Sequence, residues 1–583
     1  MKPLTRRSLF APLAGAAFAQ RPAPRRPNIM IILADDQGWG DLSVHGNTNL
    51  STPNIDSLAK DGVLFDRFFV CAVCAPTRAE FLTGRYHARG GVRGVSTGQE
   101  RLNLDEHTIA QSFRAAGYAT GAFGKWHNGS QHPYHPNARG FDEYYGFTSG
   151  HWAHYFDTQM DHNGQLTRGS GYITDDLTNH ALSFITQHRG QPFFCYLPVN
   201  TPHSPMQVPD RFYAKFADFT PALKATNPAQ EEIGMTRAAL AMVENIDWNV
   251  GRVLAKLKEL QLEQDTIVLY FSDNGPNSWR WNGGMKGRKG TVDEGGVRAP
   301  LLMRWPGHFP AGRVIRQIAG AIDLLPTLTS LARVPVGGRK PLDGKDLTPL
   351  LVGQQAAAWP DRMIFSLTGK RISVRTQQYR LDADGKLFDM VADPGQKNDI
   401  AGEQPQAAAK LREAAAAWGR EVLPLVGRDS RPYPVGYAPM TYLPARDGTS
   451  IGGIQRSNKA PNSSYFTNWR SPEDRMEWDG EVAQAGDYEA VMHYTAAEAG
   501  SVVELALGGA RLEKSISVAH NPPLVGMKED RTDRGPESYT KDFRPLSLGV
   551  MRLPAGRGRL TLRALQVAGE QVADVRYLIL TRR

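Results

Sequence analysis

The sequence predicts an α/β protein: a mostly parallel sheet flanked by helices, then a small α+β subdomain, then an appended antiparallel β-sandwich. Three observations carry this reading. Short apolar runs at 29–33, 119–124, 192–197 and 266–271 do not alternate with polar residues, which suits strands buried on both faces. Helix-period segments lie between them, as strand–helix–strand units require. Late in the chain the hydrophobic period changes to two, the mark of antiparallel strands with one wet face.

Each element follows in order. The first run, Ile29-Met30-Ile31-Ile32-Leu33, ends in Asp35-Asp36, and Thr266-Ile267-Val268-Leu269-Tyr270-Phe271 ends in Ser272-Asp273-Asn274-Gly275. Ligand sites of parallel sheets gather beyond the carboxyl ends of strands, so these four polar residues are site candidates by position alone. The clearest helix spans 236–260, with Val243, Ile246, Val250, Val253, Leu254 and Leu257 on one face and Arg252, Lys256 and Glu259 opposite. After 340 the segments shorten, with strands in 375–381 and 386–389 and a helix over 405–420. Residues 425–470 are rich in Pro, Gly, Ser and Asn and read as a linker or loops. Tyr488, Ala490, Met492 and Tyr494 would share one strand face, and 501–507, 560–564 and 575–580 alternate likewise. The expected boundaries are 28–339 for the α/β domain, 340–424 for the subdomain and 471–583 for the sandwich.

The 583 residues exceed one ordinary core. No apolar stretch is long enough to span a bilayer. A net charge of +9, scattered along the chain, argues against nucleic-acid binding. Three cysteines, Cys71, Cys74 and Cys195, exclude a disulfide framework. Cys71 reads as a small buried side chain and Cys195 as strand core. Residues 1–19 contain Arg6-Arg7, a weakly apolar run and Ala17-Phe18-Ala19, the pattern of a twin-arginine signal peptide. An exported, periplasmic or secreted protein is therefore expected, with 20–27 as a linker.

The strongest motif is Cys74-Ala75-Pro76-Thr77-Arg78, followed by Leu82-Thr83-Gly84-Arg85. Gly124-Lys125-Trp126-His127, Thr201-Pro202-His203, Asp273-Asn274-Gly275, Lys289-Gly290 and Leu387-Phe388-Asp389 follow in order. On these residues the chain resembles the formylglycine-dependent sulfatases of the alkaline-phosphatase-like superfamily. The resemblance implies that fold and the hydrolysis of sulfate esters. It also implies that a separate formylglycine-generating enzyme oxidises Cys74 to an aldehyde, 3-oxoalanine, whose hydrate is the nucleophile. Asp35, Asp36, Asp273 and Asn274 then form the metal site. They offer only oxygen ligands, which favours a hard cation, calcium or magnesium, over zinc. Arg78, Lys125 and Lys289 would surround the sulfate anion. His127 is the candidate base for collapse of the intermediate, and His203, with Lys289, the candidate acid for the leaving alcohol.

Outside the shared motifs, His151 and His154 in Gly-His-Trp-Ala-His, and Arg280 and Trp281 beyond the metal strand, are candidate substrate contacts. The C-terminal region resembles the small sandwiches, often carbohydrate-binding, that are appended to polysaccharide-acting enzymes. Tyr465, Phe466, Trp469 and Trp478 would be either a sugar platform or core. The expected substrate is a sulfated carbohydrate. Two other readings stand beside it: a phosphate or phosphonate ester hydrolase of the same superfamily, and a non-catalytic glycan-binding protein whose Cys74 is never converted.

Overall fold

The computed structural model describes residues 26–353, 359–427 and 429–583. The expected signal segment 1–19, and 20–25 of the expected linker, lie outside the described residues. No described helix is long and apolar enough to cross a membrane.

The first layer is an eleven-stranded sheet. Its principal strands are β1 (Asn28–Ala34), β2 (Val63–Phe69), β3 (Ala119–Lys125), β4 (Glu143–Phe147), β5 (Phe193–Pro198), β6 (Thr266–Ser272) and β7 (Arg298–Arg304). They lie in the order β2-β7-β6-β1-β5-β3-β4. From β6 to β4 every pairing is parallel, whereas β7 runs antiparallel to both neighbours. The central strands are apolar throughout because both faces are covered. Met30 and Ile32 enter one core, and Ile29, Ile31 and Leu33 enter the other. Each such side chain contributes roughly 1.5–3 kcal/mol by leaving water.

Helix α1 (Cys74–Thr83) packs Phe81 and Leu82 into the second core. On the first face lie α2 (Ile173–Gln187) and α3 (Ile233–Glu259). The apolar stripe expected on α3 is buried at Val243, Ile246, Val250, Val253 and Leu257, with Leu254 partly covered at its edge. A four-stranded antiparallel sheet over Ile364–Thr368, Arg371–Arg375, Tyr379–Leu381 and Leu387–Asp389 packs on the helix Pro405–Val422. It is tied to the larger domain by Arg375 and Arg380, which donate to buried Glu294 at 2.7 and 3.0 Å.

Two six-stranded sheets form the C-terminal sandwich. Its core takes Tyr488, Ala490, Met492 and Tyr494 from one strand face, as the alternation implies. The segment 425–470 is not a linker: Tyr433–Val435, Met440–Pro444, Thr449–Ile451, Gln455–Arg456 and Phe466–Thr467 pair within these two sheets. Trp469 and Trp478 are fully buried, Phe466 lies beside them, and Tyr465 is nearly covered. These aromatics are core and inner wall, which leaves no exposed sugar platform among them.

Candidate active site

The site forms beyond the carboxyl ends of β6, β1 and β3, with β5 between β1 and β3. Asp35 follows β1 and donates its N–H to Thr201 O at 3.1 Å. The Asp36 N–H is held by Asp273 Oδ1 at 3.1 Å, and Asp36 adopts a left-handed backbone with φ 66°. Aspartate tolerates that conformation better than most residues, and here it turns a second carboxylate into the same space. Two glycines are required by close approach. A Cβ on Gly275 would lie 2.0 Å from Gly295 O, and one on Gly124 would lie 2.0 Å from Pro198 O.

Three carboxylates buried together need nearby positive charge, and three cations supply it. Lys125 Nζ donates to Asp35 Oδ2 at 2.6 Å. Arg78 reaches Asp273 Oδ2 from Nε at 3.1 Å and from Nη2 at 2.8 Å. Its Nη1 donates to Lys125 O at 2.8 Å. Lys289 Nζ donates to Asp36 Oδ2 at 2.7 Å. Burial opposes ionisation of Asp36, but His203, Lys289 and Lys125 outweigh it and hold the carboxyl well below the usual range. Asp273 moves the other way: burial, and then the neighbouring Asp35, raise it to about 6 despite Arg78.

Cys74 opens α1 beside Asp35 and Asp273, the three ligand atoms lying within 4.8 Å of one another. The turn that places it is clamped by Thr77, whose Oγ1 donates to Asp273 O at 2.5 Å and accepts from the Cys71 N–H at 2.8 Å. Burial raises the Cys74 thiol even though Lys125 and Lys289 favour the thiolate. Burial thus disfavours the thiolate, the form in which an unmodified cysteine attacks.

His127 follows β3 with φ 61°, its Nε2 2.7 Å from Val95 O. His203 Nδ1 lies 2.7 Å from Ser204 O, and its Nε2 lies 3.5 Å from Asp36 Oδ2. The His151 ring stacks on His203 at 5.6 Å. Burial, the largest cause for each, lowers all three imidazoles below their ordinary value.

The donor set fits a hard divalent cation. Asp35 Oδ1 and Asn274 Oδ1 are buried without a hydrogen-bond partner among the described residues, although Asn274 Nδ2 is engaged by Asp36 Oδ1 at 2.8 Å. Asp35 lies close to both Asp36 and Asp273, and Asn274 joins them through Asp36, so three carboxylates and one amide offer oxygen ligands of the kind a hard cation takes.

The family model described as Sulfatase matches residues 27–334, and the model described as N-sulphoglucosamine sulphohydrolase, C-terminal, matches residues 288–415. The chain belongs to the sulfatase family.

This sulfatase is 32% identical over 410 residues to N-acetylgalactosamine-6-sulfatase of Canis lupus familiaris, covering 64% of the chain and 74% of that relative. It is 34% identical over 385 residues to arylsulfatase A of Homo sapiens, covering 60% and 71%. A crystal structure of Ps i-CgsB in complex with k-i-k-neocarrahexaose superposes with a TM-score of 0.62 at 30% identity, covering 70% of this chain and 96% of that one. The sulfatase is accordingly a hydrolase of sulfate esters with the alkaline-phosphatase-like fold.

The ten expected catalytic and metal residues converge, and His151 joins them. The other three substrate-contact candidates do not. Arg280 is buried against Asp41, with Nε at 2.9 Å and Nη2 at 2.8 Å, and Nη2 also holds Asp36 O at 2.9 Å. Its guanidinium is taken up by Asp41 and by the backbone of Asp36, which braces the loop after β1. His154 turns toward Gly526 and Arg534 of the C-terminal region. The half-buried Trp281 packs on Gly40. Two residues not expected from the sequence reach the site instead. Glu537 Oε1 accepts from Ser204 Oγ at 2.7 Å and lies 3.8 Å from His203 Nδ1. Asn462 stands across Gly150 from His127.

Proposed function

We propose that the sulfatase cleaves a sulfated carbohydrate, using Cys74 after conversion to formylglycine and a calcium or magnesium ion at Asp35, Asp36, Asp273 and Asn274. The observation that carries this is the burial of the Cys74 thiol beside the carboxylates of Asp35 and Asp273, with the ammonium groups of Lys125 and Lys289 near it. That setting wastes a thiol but suits an oxygen nucleophile. When present, the cation neutralises charge on a sulfate oxygen, and the hydrated aldehyde supplies the attacking hydroxyl.

The chain's own residues do the rest. Arg78 keeps Asp273 ionised and fixes the end of β3 through Lys125 O. Lys125 and Lys289, already oriented by Asp35 and Asp36, present positive charge to the sulfate without reorganising, which is where electrostatic catalysis gains most. His127, kept neutral by burial, can accept a proton from the nucleophile's second hydroxyl. His203 faces the leaving oxygen, and an incoming sulfate raises the proton affinity of a ring that burial otherwise keeps neutral.

The carbohydrate preference is supported by the names of the relatives, N-acetylgalactosamine-6-sulfatase among them, and by the sandwich that closes on the site. Export by the twin-arginine route is retained from Arg6-Arg7 and the small-residue end of the segment. The test is peptide mass spectrometry of Cys74 in protein co-expressed with a formylglycine-generating enzyme, paired with sulfate release from a panel of sulfated glycans. A converted Cys74 with release from one sugar class supports the proposal. An intact thiol in protein that still releases sulfate would end the formylglycine reading.

A further inference from the structure

The C-terminal sandwich sends one long excursion across the catalytic domain. Val525 and Thr540 pair at its base, the Val525 N–H donating to Thr540 O at 2.9 Å. Between them the excursion is pinned at three points. Gln207 Nε2 donates to Asp530 Oδ1 at 2.7 Å, the Arg531 N–H donates to Met206 O at 3.0 Å, and Arg534 Nη1 donates to Ala153 O at 2.6 Å. This anchoring delivers Glu537 to His203 and His151.

Once there, only half of the carboxylate is used. Oε1 takes the Ser204 hydroxyl, but Oε2 is buried with no hydrogen-bond partner among the described residues. His151 Nε2 is in the same condition. Glu537 is 8% and His151 3% exposed, and ligand atoms of His151, His203 and Glu537 lie within 4.8 Å of one another. A buried polar atom without a partner is unfavourable, so two such atoms on neighbouring side chains define a place for a group that both donates and accepts. His203 Nδ1 is engaged by Ser204 O at 2.7 Å.

We propose that Glu537 and His151 form a recognition subsite for a hydroxyl or amide N–H of the sugar that carries the sulfate, so that the C-terminal sandwich supplies a specificity residue to the active site. The assignment rests on the sulfated-carbohydrate reading, with His203 beside the leaving oxygen. The carboxylate accepts from a sugar hydroxyl or N–H and repels a second sulfate or a uronate at that position. The sandwich is then a wall of the substrate pocket and not a separate tether.

The test uses the full-length, formylglycine-converted protein and two variants, Glu537→Gln and Glu537→Ala. Glu537→Gln keeps an acceptor for Ser204 but places a donor where Oε2 stood. Specificity constants are measured on 4-nitrophenyl sulfate and on the sulfated mono- or oligosaccharide cleaved fastest in a panel of galactan and glycosaminoglycan sulfates. Relative to the aryl ester, the sugar sulfate is expected to lose about tenfold to a hundredfold, chiefly through KM. Equal losses on both substrates, or none, would make Glu537 structural only and overturn the proposal. A converted wild type that releases sulfate from no member of the panel would remove the sulfated-carbohydrate reading and this assignment with it. If Glu537→Ala does not fold, Glu537→Gln carries the comparison alone.

Discussion

Arg78 Nη2 lies 2.8 Å from Asp273 Oδ2, and neither side chain is exposed to solvent. The pair joins α1, which opens at Cys74, to the loop that follows β6. Arg78→Ala would leave Asp273 uncompensated beside Asp35, a loss of about 3–5 kcal/mol for a broken buried pair. Arg78→Lys cannot reproduce the two-pronged contact. Denaturant unfolding is expected to show a clear drop for Arg78→Ala and a smaller one for Arg78→Lys, with both nearly inactive. Wild-type stability in Arg78→Ala would contradict the role given to this pair.

Removal of divalent cations should destabilise as well as inactivate. The Asp35 carboxylate lies close to Asp36 in one cluster and to Asp273 in another, and an ion bound only by the folded state adds about 2.7 kcal/mol at a hundredfold excess over Kd. Chelation is expected to lower the melting temperature, and calcium or magnesium to restore it, whereas Asp273→Asn should blunt the response. An unchanged melting curve on chelation would count against a cation at these residues.

Glu80 gives the fold a pH dependence separate from catalysis. Burial raises its carboxyl to about 8, against an ordinary value of about 4.3. The folded state thus holds a proton that the unfolded chain releases. The stability this represents is complete below the ordinary value and is lost as pH rises toward the folded one. Glu80→Gln removes the term, so it should flatten the decline in stability between about pH 5 and pH 8, by about 2–4 kcal/mol over that window. Parallel curves for the two proteins would show that Glu80 is already ionised in the fold.

Gly150 separates His127 from the C-terminal region. A Cβ there would lie 2.3 Å from Asn462 Nδ2 and 2.7 Å from His127 Nε2. Gly150→Ala is expected to disturb the contact of His127 with Val95 O and to lower kcat by about tenfold or more, with little change in melting temperature. Full activity would place His127 outside the chemistry.

Trp478 is a core residue of the sandwich, its Nε1 donating to Pro444 O at 3.1 Å. Trp478→Ala should cost about 3–5 kcal/mol. A stable variant that had lost only polysaccharide retention would restore the sugar-platform reading.

The catalytic half was legible because its residues sit at strand ends in short motifs. Asp35-Asp36 and Asp273-Asn274 each close an apolar run, and Cys74 and Arg78 share one helix turn. The alternation through Tyr488 and Tyr494 likewise revealed a sandwich strand. Glu537 and Asn462 carried no such signal. They lie in loops whose composition is that of any surface, and only the packing of the sandwich on the α/β domain brings them to the histidines. The strands of 425–470 were illegible for a related reason. Two to five residues long, they owe their place to pairing with other strands, several of them far along the chain, and not to their own periodicity. Arg280 misled because a charged residue beside a site is as readily a buried brace for a loop as a contact for an anion.

The most direct test compares release of inorganic sulfate and inorganic phosphate from matched sulfate and phosphate monoesters. The formylglycine-converted protein is assayed beside Cys74→Ala, with the conversion verified by peptide mass. Sulfate release that exceeds phosphate release and disappears in Cys74→Ala is the expected result. Phosphate release that exceeds sulfate release, or sulfate release that survives in Cys74→Ala, would contradict it.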